Sequence, residues 1–73
     1  MREYMRELRK SKGLTQKQVA EKIGLSQCYY SQIEKGERGG HIGIDTFCKL
    51  ATVLGSNFDE FFECEIKWME ANT

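Results

Sequence analysis

Gln27, Cys28, Ser31, Gln32 and Lys35 are spaced so that, at roughly 100° per residue, they fall on one side of a helix. A glutamine amide donates and accepts through one planar group, which matches the adenine edge in the major groove of DNA. A serine hydroxyl serves a base or a phosphate, and a lysine adds a phosphate or guanine contact. No acid interrupts this face, while Tyr30 and Ile33 fall together on the opposite side as core residues. An ordinary solvated amphipathic helix has the same pattern. The weight therefore rests on the elements that would hold this helix in place.

Those elements are legible on both sides. Residues 2–11 carry one apolar stripe, Tyr4, Met5 and Leu8, and glycine at Gly13 ends that helix. Thr15 with Gln18 three residues on is a capping box, opening a short helix with Val19, Ala20 and Ile23 as its apolar face. Gly24 stops it, Leu25 fills the turn, and Ser26 caps the helix running from Gln27 to Lys35, which stops at Gly36. Two short capped helices, a tight turn and a small residue at Ala20 make the sequence form of a helix-turn-helix. A fourth helix follows a glycine-rich loop, with Ile44, Phe47, Leu50, Ala51 and Leu54 on one face. Asn57 caps a fifth start, with Phe58, Phe61 and Phe62 facing inward.

The end of the chain has two readings. From Phe62 to Trp68 apolar and charged residues alternate strictly, a strand period. A helical stripe through Phe58, Phe62, Ile66 and Met69 also exists but leaves Cys64 and Trp68 off its face. The alternation favours a strand. An exposed edge strand pairs readily with a copy of itself, so Phe62, Cys64, Ile66, Trp68 and Met69 are the candidate dimerisation residues. Helical tails could pack in a dimer as well.

The bulk numbers permit one domain of 73 residues, with 40% apolar and 30% charged residues, a soluble globular balance. The formal net charge is zero, but residues 1–38 hold nine Lys/Arg against five Glu, and the remainder two Lys against six acids. A basic half can face phosphates while an acidic half faces away. No apolar run approaches the ~20 residues of a membrane span, and no signal stretch follows Met1, so a cytoplasmic location is expected. The three cysteines have no metal-ligand spacing, and His41 stands alone in a glycine loop, so no metal or cofactor is expected. Asp59, Glu60 and Glu63 suit a solvated helix start better than acid–base work. No nucleophile–base arrangement is present, so the chain does not read as an enzyme, and no small-molecule ligand is evident.

The run from Leu8 to Gln16, the Gly24-Leu25-Ser26 turn and Ile33-Glu34-Lys35-Gly36 resemble the Cro/cI-type (XRE-like) helix-turn-helix DNA-binding family. Lys49-Leu50-Ala51 with Leu54-Gly55 is similar to that family's fourth helix. The resemblance spans roughly residues 5–62 and implies a lambda-repressor-like fold. It also implies sequence-specific binding of double-stranded operator DNA by a homodimeric transcriptional regulator, a repressor rather than an activator. It places Gln27, Cys28, Ser31 and Gln32 at base-reading positions. Arg9, Gln16, Lys17, Ser26, Tyr29, Lys35 and Arg38 become candidate phosphate contacts, with Tyr29 equally able to pack at the core edge. Arg9 and Glu34 match an internal salt bridge, and Tyr30 stands at a usually aliphatic core position, where its hydroxyl could reach the edge. The loop after Gly36 departs from the family in length and in having glycines for proline, and Cys28 is unusual at a reading position.

The expected fold is thus mainly α, a compact bundle of five short helices containing a helix-turn-helix, with a C-terminal β-strand used for dimerisation. Residues 1–62 form the DNA-binding part and 63–73 the dimerisation tail of the same domain. The rival reading, supported by the neutral net charge and the aromatic tail, is a protein-binding module such as an antitoxin or adaptor.

Overall fold

The computed structural model describes residues 1–37 and 42–71. Five helices follow in order: α1 (Glu3–Ser11), α2 (Gln16–Ile23), α3 (Gln27–Lys35), α4 (Ile44–Val53) and α5 (Phe58–Ala71). Their ends are set by local chemistry. The Thr15 hydroxyl accepts from the Gln18 amide at 3.1 Å, while the Thr15 amide donates to the Gln18 side chain at 2.9 Å, completing the capping box. Ser26 caps α3 by accepting from the Tyr29 amide at 3.1 Å. Gly24 and Gly36 close α2 and α3 in the left-handed region, at φ 77° and 83°. A side chain there would be strained.

The helices surround one core of Met5, Val19, Ala20, Ile23, Tyr30, Ile33, Phe47, Leu50, Ala51, Leu54 and Phe61, each 5% exposed or less. Ala20, 1% exposed, lies in this core on α2, and α2 and α3 are the pair of helices in most extensive contact. The Leu25 amide closes the turn by donating to the Ala20 carbonyl at 2.9 Å. Tyr30 departs from expectation. The whole residue is buried, and its hydroxyl has no hydrogen-bond partner among the described residues. Burial, and then the neighbouring Glu34 carboxylate, push its pKa well above the tyrosine range.

The expected C-terminal strand is absent. Residues 58–71 form one helix, and no strand occurs among the described residues. The inward stripe of α5 is Phe58, Phe61, Glu65 and Trp68, at helical spacing, and Glu65 is only 7% exposed. A charged residue at a core position made the apolar pattern look alternating. The structure corrects two further placements. Phe62 is 46% exposed and stacks on Phe58, and Ile44 is 66% exposed at the start of α4. With the strand goes the paired-edge ribbon it would have formed.

Candidate nucleic-acid interface

The α2–turn–α3 unit presents an open concavity lined by Gln16, Gln27, Cys28, Ser31, Gln32, Lys35 and Glu37. The four base-reading candidates therefore lie together. They share the surface with Gln16, from the first turn of α2, and Lys35, from the last turn of α3. Gln27, Cys28 and Lys35 are exposed, and Gln16, Ser31 and Gln32 are partly buried. Two α3 side chains on the opposite side, Tyr30 and Ile33, are at 0% exposure, which fixes the rotation of the helix.

Glu37 belongs to this rim and was missed in the sequence reading. Its amide donates to the Gln32 carbonyl at 3.0 Å and that of Gly36 to Ile33 at 3.1 Å, a Schellman closure. That closure turns the residue after the glycine back onto the reading side. The glycine at 36 was the available signal. The rim is consequently not free of acid.

Other candidates are placed differently. Lys17, Ser26 and Tyr29 are exposed but do not line the concavity. Arg38 and His41 lie outside the described residues. Arg9 points inward: its Nε and Nη2 donate to the two Glu34 carboxylate oxygens, each at 2.9 Å, and its Nη1 donates to the Leu14 carbonyl at 3.0 Å. Three of the five guanidinium N–H groups of Arg9 are thus engaged inside the protein rather than offered to phosphates. The internal pair implied by the resemblance is present.

That pair also anchors Gln16, whose side-chain amide donates to Glu34 at 3.2 Å. Burial disfavours the Glu34 charge, but hydrogen bonding from Arg9, with lesser help from Gln16 and the Arg9 charge, outweighs it. The carboxyl is held below the usual range. One buried carboxylate therefore ties α1, α2 and α3 together immediately behind the concavity.

A second buried network joins the chain start to α5. Arg2 is at 0% exposure, so it adds nothing to the basic surface counted from sequence. Its Nε and Nη2 donate to the two Glu65 oxygens at 2.9 and 3.0 Å, and its Nη1 donates to the Ile33 carbonyl at 2.6 Å. The Tyr4 hydroxyl donates to Glu65 at 2.5 Å, and burial, then Glu65, push its pKa above the tyrosine range. Trp68 lies under the Arg2 guanidinium at 4.1 Å, and its indole N–H donates to the Met1 carbonyl at 2.9 Å. Trp68 is thus engaged within its own chain, whereas Phe62, Ile66 and Met69 are 40–46% exposed on the outer side of α5.

Two capped helices joined by a tight turn, with an exposed polar helix face beside it, define a helix-turn-helix DNA-binding protein. The helix-turn-helix family model matches residues 5–61, and the chain belongs to this family, in its Cro/cI (XRE-like) form. It is 33% identical over 63 residues, 86% of this chain and 80% of the other, to the uncharacterized HTH-type transcriptional regulator YqaF of Bacillus subtilis (strain 168). No solved structure matches it.

Proposed function

We propose that the chain binds double-stranded operator DNA as a homodimer and regulates transcription as a cytoplasmic repressor. The observation that carries this reading is the gathering of Gln16, Gln27, Cys28, Ser31, Gln32 and Lys35 in one open concavity on a member of the helix-turn-helix family. In this reading α3 enters the major groove with Gln27, Cys28, Ser31 and Gln32 toward base edges. Gln16, Lys35 and the exposed Lys17, Ser26 and Tyr29 meet phosphates and fix the register. Similarity to a protein described as a transcriptional regulator supports the regulatory role.

Dimerisation uses the outer stripe of α5. Phe62, Ile66 and Met69 recur at helical spacing and remain 40–46% exposed, an apolar stripe that a second copy would cover across a two-fold axis. Residues 63–71 then extend the DNA-binding part as its dimerisation segment. Sedimentation is expected to show a dimer for the wild type and a monomer for Ile66→Asp. A wild-type chain that sediments only as a monomer overturns this part of the reading.

Selection of bound duplexes from a random pool tests the whole reading. The expected result is a two-fold symmetric site with half-sites about 34 Å apart, centre to centre. Failure to bind random duplex at low salt, even at high micromolar concentration, overturns it in favour of a protein-binding module. Gln27→Ala is expected to cost about 1–3 kcal/mol of site affinity and to relax preference at one base position. Lys35→Ala behaves differently. It weakens binding to all sequences alike and flattens the salt dependence by about one unit of slope.

A further inference from the structure

We propose that Arg2 is a positioning residue for α3, and that through it the docking of α5 sets how the chain discriminates between DNA sites. The inference rests on the reading of α3 as the DNA-reading helix. A charged side chain at 0% exposure is costly to desolvate, and an apolar residue of similar volume could fill the space. What an apolar residue could not supply is direction. The Arg2 guanidinium forks onto both oxygens of Glu65 on α5 and also donates to the Ile33 carbonyl in the last turn of α3. The Arg2 amide donates to the next carbonyl, that of Glu34, at 2.8 Å.

A steric stop reinforces this tie. A Cβ on Gly36 would lie 2.9 Å from Trp68 of α5, so the end of α3 rests directly against that ring. Gln32 and Lys35 leave the same last turn toward the concavity. Any tilt of that turn relative to the rest of the fold moves both side chains against the DNA. The side chain of Glu34 is meanwhile held from the other side by Arg9. The turn is thus fixed from two directions, and the Arg2–Glu65 tie and the Trp68 contact both lead to α5, the helix whose outer stripe is proposed to form the dimer. Site discrimination and dimer assembly are coupled through it.

The test separates positioning from stability. The double variant Arg2→Met, Glu65→Met removes both charges and keeps apolar volume, but it also takes partners from the Tyr4 hydroxyl and the Ile33 carbonyl, so folding is checked first. It is compared with the wild type by thermal melting and by binding to the selected site and to random duplex. The expected result is a folded chain whose ratio of selected-site to random-duplex affinity falls about tenfold, the size of a lost base contact, beyond any uniform weakening from a displaced Lys35. A folded double variant with the wild-type ratio of site to random affinity overturns the proposal. Should the double variant not fold, Arg2→Lys decides in the same way. It keeps the charge opposite Glu65 but cannot span both Glu65 oxygens and the Ile33 carbonyl. A wild-type chain with no preferred site overturns the reading of α3 itself, and the positioning role with it.

Discussion

Arg9→Ala is expected to bring the domain to the edge of unfolding. Glu34 is 1% exposed, and removing its partner leaves a buried carboxylate facing a lost charge and two lost hydrogen bonds, a change that costs about 3–5 kcal/mol. A chain of 73 residues has a total stability of only about 4–10 kcal/mol. Denaturant titration should show the loss directly. The pH dependence gives an independent check. The Glu34 carboxyl is held below its ordinary range in the folded chain, so folding favours the ionised form. Its contribution is complete above the ordinary carboxylate pKa of about 4.3 and is lost as the pH falls toward the lower folded value. The wild type should lose stability across that acid window. Arg9→Ala, which removes the main cause of the shift, should lose less there. An Arg9→Ala chain as stable as wild type at neutral pH would show that the pair contributes nothing.

Phe61→Ala has an expected cost of similar size and a different consequence. Phe61 is at 0% exposure, with its ring 4.6 Å from Phe47 and 5.4 Å from Tyr4, so it seats α5 on α4 and α1 together. Truncating a buried phenylalanine costs about 3–5 kcal/mol through lost burial and the cavity left behind. The neighbouring Phe62, half-exposed and stacked on Phe58, is the control. Phe62→Ala should cost the isolated protomer far less while weakening self-association. Equal losses of protomer stability from the two substitutions would mean that the inward and outward sides of α5 have been misassigned.

The parts of the fold legible in the sequence were those with a local chemical signature. Thr15 with Gln18, Ser26, Gly24 and Gly36 marked the ends of α2 and α3, and the opposition of Tyr30 and Ile33 to Gln27 and Gln32 fixed which side of α3 faces outward. Long-range polar pairing had no such signature. Arg2 and Glu65 are 63 residues apart and together form a buried pair. Hydropathy scores both as surface, so Arg2 was counted toward the basic half and Glu65 helped the tail resemble a strand. The same limit applied to Arg9. Both its pairing with Glu34 and its candidate phosphate contact came from family resemblance, and nothing local in the sequence showed the buried partner. Glu37 escaped because its position depends on the three-dimensional course of the Gly36 closure rather than on helical periodicity.

The single tryptophan of this chain stands where the start of the chain, the end of α3 and the inner side of α5 converge. Its indole N–H is bonded to Met1, and a guanidinium covers its ring, so its emission reports on one junction rather than on the fold at large. Release of α5 would strip both neighbours from the ring and shift that emission, even with α1 to α4 still packed. Unlabelled protein therefore carries its own optical gauge of whether the last helix is seated. Read alongside a global probe such as far-ultraviolet dichroism, it can reveal whether that helix lets go before the rest.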